Sequence, residues 1–174
     1  IEAALLAIPG VKKIIWLAEG LAEDPLEIST ITGDYIGLGA NGHTDEFVRF
    51  ADANTILLAW VDEEAARSHP VARINRDRMI RNFTILSEAT DQSGLPFRIL
   101  RVPMPREIER SVMLSAPDKA TDAWTTASFP SSEGRKPGDK VTHVAPASYL
   151  NFLVANGVVL VPSFIEDGTP RELE

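Results

Sequence analysis

The hydrophobic pattern begins with Ile1, Leu5, Leu6 and Ile8 at helical spacing, and Pro9-Gly10 ends that helix. Val11 to Leu17 contains the apolar run Ile14-Ile15-Trp16-Leu17, whose length and branching predict a short buried strand. From Ala18 to Gly42 the periodicity is lost. Pro25 and the glycines at 33, 37, 39 and 42 predict loop, and its acids (Glu19, Glu23, Asp24, Glu27 and Asp34) read as solvated charges. Phe47 to Phe50 and Thr55 to Trp60 are then two strands, with Ala51-Asp52-Ala53-Asn54 as their hairpin loop. Asp62-Glu63-Glu64 leads through Ser68-His69-Pro70 into a helix from about Val71 to Asp91, carried by Met79, Phe83 and Leu86 with Ile74 and Ile80 nearby. Gly94 and Pro96 close it, and Phe97 to Val102 is the next strand.

Between Pro103 and Pro146 the pattern dissolves around the polar tract Ser131 to Asp139. This stretch reads as a long loop or insertion whose middle is disordered. Tyr149 to Val154 and Val158 to Val161 form a second hairpin about Asn156-Gly157. Laid over each other without a gap, 47–59 and 149–161 share Phe50, Ala53, Asn54 and Leu58 with Phe152, Ala155, Asn156 and Leu160, and the two hairpins are expected to keep the same register. The closing strand Phe97 to Val102 resembles Lys13 to Leu17, so the repeating unit is strand, strand, helix, strand. The chain then divides into the tail of one unit (1–40), a whole unit (41–102), the insertion (103–146) and the start of another unit (147–174). A stacked or circular array would bury the open faces, and the isolated segment is expected to be poorly soluble or oligomeric. Thr169-Pro170-Arg171-Glu172 reads as a helix start with a capping box, which makes the chain an internal segment of a longer protein.

Composition narrows the chemistry. With 44% hydrophobic residues and a net charge of -8 (17 Lys plus Arg against 25 Asp plus Glu), the chain has the make-up of a globular domain that favours cationic ligands over nucleic acid or an anionic membrane. It contains no cysteine, so neither a disulfide nor a thiol nucleophile comes from these residues. No apolar run approaches the roughly 20 residues that span a bilayer, and no signal peptide is visible, which leaves a cytoplasmic setting as the default.

The strongest chemical signal is Asn41-Gly42-His43-Thr44-Asp45-Glu46. An imidazole and a carboxylate two residues apart, where a Gly loop enters a strand, project to one side and meet one small polar ligand. Asp45 suits a cation held by charge-assisted bonds, His43 suits proton transfer near neutral pH, and Gly42 lets the backbone approach a ligand. The competing reading is that His43 and Asp45 tie the loop together. A metal held by His43, Asp45 and His69 is disfavoured by spacing, as His69 stands at a helix entrance and His143 at the end of the long loop. Glu46 and Asp52 read as solvation or turn residues, and Arg67, Arg73, Arg76, Arg78 and Arg81 as a solvated helix face. Trp16 and Trp60 read as core or rim packing, and Trp124 as docking on a neighbour.

The motifs Trp16-Leu17, Asn41-Gly42-His43-Thr44-Asp45-Glu46-Phe47-Val48-Arg49-Phe50, and Ala147-Ser148-Tyr149-Leu150-Asn151-Phe152 with Ala155-Asn156-Gly157-Val158-Val159-Leu160-Val161-Pro162-Ser163-Phe164 resemble the agmatine deiminase and bacterial peptidylarginine deiminase family over nearly the whole chain outside about 107–144. The resemblance implies an α/β propeller of pentein type, five strand-strand-helix-strand units of which this chain covers roughly two. It implies hydrolysis of a guanidinium group without metal or organic cofactor: a Cys attacks the carbon, a His moves protons, and two carboxylates grip the nitrogens. Residue by residue, His43 matches the acid/base and Asp45 one gripping carboxylate, while the Cys and the other carboxylate belong to parts of the family absent from this chain. The segment alone is therefore expected to be inactive. The chain departs from the family in having Gly39 where an acid often stands, four positions before the histidine, and in a longer loop from Glu23 to Ala40. The implied partner is a small cationic guanidino substrate or an arginine side chain, with agmatine, free arginine and peptidyl arginine all open. A homo-oligomer is compatible with this reading. The rival is a catalytically silent propeller module used for binding or structure.

Overall fold

The computed structural model describes residues 1–118, 124–169 and 171. A helical turn, α1 (Glu2–Leu6), opens the chain. The central unit comprises β3 (Val48–Phe50), β4 (Thr55–Trp60), α4 (Pro70–Glu88) and β5 (Arg98–Pro103), in the order strand, strand, helix, strand. β3 pairs antiparallel with β4 and β4 pairs parallel with β5, from Thr55 opposite Arg98 to Trp60 opposite Pro103. The main core lies between this sheet and α4, where Ile56, Leu58, Met79 and Leu86 are buried together with Leu21, Phe47 and Leu150. Trp60 lies on its rim, edge-on to Phe83, with the Arg101 guanidinium 3.9 Å from its ring centre.

α4 starts at Pro70, with the His69 side chain accepting from the Ala72 N–H, so proline's missing donor falls where a helix has no use for it. It stops at Glu88 rather than Asp91, because the Asp91 carboxylate accepts from the Ser93 and Leu95 N–H groups and holds a turn instead. A short helix unforeseen in the sequence, α3 (Glu63–Ser68), precedes it, capped by Asp62 through the Ala65 N–H.

Three expectations for the flanking segments are overturned. Residues 11–17 pair with no strand among the described residues: Ile15 and Leu17 lean on the core, and Trp16 is exposed. The expected loop 18–42 contains a hairpin, β1 (Ser29–Thr32) and β2 (Tyr35–Gly37), turning at Gly33 in a left-handed conformation. The expected long loop 103–146 contains β6 (Ile108–Met113) and β7 (Lys140–Ala145), on either side of its polar middle. Together they make one sheet in the order β1-β2-β7-β6, with β2 and β7 parallel, Tyr35 opposite Thr142 and Gly37 opposite Val144. Ile36, Leu114, Phe129 and Val141 form its own small core. Trp124 packs within the same segment, its ring 4.7 Å from that of His143, and so fills an internal surface. Ala22, Val71 and Val144 join this accessory sheet to the first half of α4.

The last hairpin is shorter than expected, β8 (Leu153–Ala155) and β9 (Val158–Leu160), because 149–152 forms a turn. It pairs Ala155 with Val158, whereas the aligned β3–β4 pair is Phe50 with Ile56; the equal-register expectation is therefore incorrect. Asn156 and Gly157 both have positive φ and close a tight turn, while in the first hairpin the Asp52 carboxylate accepts from Asn54 and Thr55 N–H and props open a longer loop. Of the helix expected at 169–172, Pro170 and Glu172 lie outside the described residues; the Thr169 hydroxyl accepts from the Arg106 N–H.

Candidate active site

The site is built on α4, whose buried face includes two asparagines, Asn75 and Asn82, seven residues apart in line with Met79 and Leu86. Their side-chain amides hold the segment 18–24 much as a neighbouring strand would. Asn82 accepts from the Ala18 N–H and donates to the Glu19 carbonyl, and Asn75 accepts from the Ala22 N–H and donates to the Glu23 carboxylate, all at 2.8 Å. Arg78 adds a bond to the Gly20 carbonyl. Glycine at 20 permits close contact with the site loop, since a Cβ there would lie 2.7 Å from Gly42 Cα.

This segment delivers two acids into the interior, against their reading as solvated charges. Glu23 and Asp24 are both 3% exposed. Burial pushes the Glu23 carboxyl up to about 7, although the Asn75 amide opposes the shift. Asp24 meets a different setting: its Oδ1 accepts from the Ala40 N–H, its Oδ2 accepts from the His43 N–H at 2.7 Å, and its carbonyl accepts from Gly42. The hairpin of 25–39 is looped out between these contacts, its neck closed by the Gly39 N–H on the Pro25 carbonyl. A Cβ on Gly39 would overlap the Asp24 carboxylate. Thus the space beside Gly39, where the family resemblance places an acid, holds the carboxylate of Asp24.

Asn41 and Gly42 turn the chain with φ of 77° and 72°, and His43 caps a helical turn, α2 (Thr44–Phe47). The expectation of a strand entered at His43 is corrected: Phe47 ends this turn and β3 begins at Val48. On a helical turn, residues two apart diverge, so His43 and Asp45 do not project in parallel. The His43 side chain is 52% exposed, its Nδ1 3.5 Å from Asp24 Oδ2. Asp45 is half-buried, and among the described residues no hydrogen bond or ion pair engages its carboxylate.

Glu46, read from sequence as a solvation residue, accepts a 2.9 Å bond from the Asn151 amide. Partial burial raises its pKa, and the charges of Asp45 and Asp24 add to the rise. Arg49 ties the same segment down, donating to the Leu150 and Phe152 carbonyls and stacking over the Phe152 ring. Residues 46–49 and 150–152 are therefore adjacent along one edge. An open cleft of about 620 Å³ borders that edge, lined by Gly20, Asp24, Gly42, Thr44 and Arg78 among others.

The other sequence candidates stand elsewhere. His69 caps α4, 2.7 Å from Glu109 and edge-on to Tyr35, and His143 lies on β7, so neither histidine joins His43 and Asp45. Among the described residues no group of three or more His, Cys, Asp or Glu is placed to hold a metal ion, and no helix is long and apolar enough to cross a membrane. The arginines of α4 are partly spent: Arg76 and Arg78 bind carbonyls, and Arg81 pairs with Glu19.

Asp24, Glu46, Asn75 and Asn151 were not singled out as site residues from sequence. A legible signal existed for Asn75, an amide at a core position of an amphipathic helix. The acids betray nothing locally, because their partners are 16 or more residues away.

Fold and site together define a mixed α/β protein with open sheets whose loop edge sets an exposed imidazole near carboxylates. The model of the Porphyromonas-type peptidyl-arginine deiminases matches residues 1–171, and the chain belongs to that family. It is 31% identical over 168 residues to an agmatine deiminase of Pseudomonas fluorescens, covering 94% of this chain and 36% of that protein. It is 29% identical over 164 residues to an agmatine deiminase of Medicago truncatula, covering 94% and 35%. The fold is similar to that of the agmatine deiminase of Enterococcus faecalis, with a TM-score of 0.54 at 22% identity, over 93% of this chain and 35% of that one. The chain thus spans about a third of the length of the curated relatives it matches.

Proposed function

We propose that the full-length protein is a hydrolase that deiminates a guanidinium group, with this chain supplying His43 and Asp45 and a cysteine nucleophile supplied by sequence beyond it. The observation that carries the reading is that Asp45, whose carboxylate no other described residue engages, and the exposed His43 imidazole stand two residues apart on the turn that follows Gly42, in a chain of this family. Asp45 holds a guanidinium nitrogen pair by charge-assisted bonds. The thiolate attacks the guanidinium carbon, His43 gives a proton to the departing nitrogen, and ammonia leaves. His43 then takes a proton from water, whose oxygen attacks the same carbon and expels the thiolate, leaving a ureido product. Gly42, at the tip of the turn, keeps the backbone low beside the ligand.

The finer architecture proposed with it is a propeller of five such units. Its support is the bareness of the β8–β9 hairpin, whose six strand residues are exposed. A neighbouring unit would cover them.

The test is ammonia release by the full-length protein from agmatine, free arginine and an arginine peptide. Turnover is expected with at least one, and His43→Ala or Asp45→Ala is expected to abolish it. No turnover with any of the three would leave the silent-module reading in its place.

A further inference from the structure

We infer that Asp24 is a positioning residue for His43: its buried carboxylate sets the loop and the direction in which the imidazole points. The inference rests on the reading of His43 as the proton-transferring group. The loop that bears His43 has little else to hold it. Asn41 and Gly42 are both left-handed, a conformation that a non-glycine residue adopts at some cost and keeps only where its surroundings enforce it. His43 is half exposed, so packing does not fix its ring. Asp24 supplies the constraint through both oxygens. One takes the Ala40 N–H and the other the His43 N–H, on either side of the left-handed pair. A carboxylate accepting backbone N–H groups makes stronger bonds than a neutral acceptor.

The same Oδ2 lies 3.5 Å from His43 Nδ1. That separation is long for a hydrogen bond and tightens when the ring holds a proton on Nδ1 facing the carboxylate. Nδ1 is then committed to Asp24, and Nε2 is left to exchange protons with the substrate side. Asp24 is itself well anchored, since Asn75 and Asn82 fix the preceding backbone on α4. Glycine at 39 keeps the space open, because any side chain there would drive the carboxylate out. The neck of the 25–39 hairpin thus has a role in the site: it brings an acid distant in sequence under the histidine.

The test uses the full-length protein with ¹⁵N-labelled histidine. Wild type is expected to show the His43 ring, in its neutral form, mainly as the Nδ1–H tautomer. Asp24→Asn, close in shape but uncharged, is expected to give a mixture. Asp24→Ala is expected to lower kcat by about 10²-fold with KM changed by less than about threefold. Gly39→Ala, whose Cβ would meet both the Asp24 carboxylate and the Asp24 Cα, should lower kcat at least as much. An unchanged tautomer in Asp24→Asn, or a rise in KM alone, overturns the inference; the second result would make Asp24 a substrate ligand. His43→Ala is measured alongside. If it keeps turnover, the functional reading fails; if it is dead while Asp24→Ala is fully active, only the positioning role fails.

Discussion

The hairpin of β3 and β4 and the hairpin of β8 and β9 come from aligned stretches of sequence and meet opposite fates. In the first, Ile56 and Leu58 are buried against α4. In the second, Val158 and Leu160 stand at the same aligned positions and are 54% and 60% exposed. The first hairpin has its helix and third strand within the described residues and the second does not. The difference teaches that the hairpin pattern encodes a surface to be covered rather than a stable object. It also sets the candidate pair apart: His43 and Asp45 of the first copy align with Ala145 and Ala147 of the second, so the proposed chemistry belongs to one copy alone.

The sharpest break in that comparison is functional. His43→Ala in the full-length protein is expected to lower ammonia release by roughly 10²–10⁴-fold, whereas Ala145→Gly is expected to leave it within about twofold of wild type, as read by steady-state kinetics. The next is thermodynamic. Leu58→Ala is expected to destabilise by about 2–5 kcal/mol in urea unfolding. Leu160→Ala in this 174-residue chain should cost less than about 0.5 kcal/mol. A cost for Leu160→Ala in the full-length protein that matches Leu58→Ala would show the second hairpin covered there.

A smaller effect comes from Glu23, buried under the first copy without a counterpart in the second. Its folded-state pKa of about 7 lies above the ordinary 4.5, so the folded chain holds the proton more tightly than the unfolded one. The group therefore takes nothing from stability below 4.5, and stability falls as pH rises from 4.5 through 7. Glu23→Gln removes that loss and is expected to stabilise by about 1–3 kcal/mol above about pH 8, with little change near pH 4. Melting curves across that range check the sign. The smallest effect is at the turns. Asp52→Ala takes the acceptor from Asn54 and Thr55 N–H and should lower the melting temperature slightly. Gly157→Ala forces a side chain into a left-handed position and should cost about 1 kcal/mol, even with the hairpin bare.

The central unit was legible because its apolar positions keep strict periods and its strands lie close in sequence to their partners. Met79 and Leu86 declare the buried face of α4, and Thr55 to Trp60 is a run that few other structures accommodate. The accessory sheet was not legible, since its strands are short and half polar, as in Ser29-Thr30-Ile31-Thr32, and their pairing joins residues more than a hundred positions apart. Of the site, His43, Asp45 and Gly42 were visible as residue types near a glycine turn. Their mounting was misjudged: Asp45 and Glu46 fall in the first turn of a helix, where acids are favoured, and that signal outweighs the strand-like residues after it. Asp24 stayed hidden because a buried carboxylate is defined by the backbone groups around it, and these come from the far side of a looped-out hairpin.

The parallel pairing of β2 with β7 has a consequence for the order of assembly. Tyr35–Gly37 finds its inner neighbour only in Thr142–Val144, across a loop of about a hundred residues, and closing such a loop is slow and entropically costly. During synthesis β3, β4, α4 and β5 all emerge while β2 still waits for β7, so the accessory sheet closes after the strand pairs of the central unit have formed. The neck beneath His43 is one of the places where that sheet joins the rest of the chain, and the geometry of that loop is therefore settled late, after the strand pairs of the central unit.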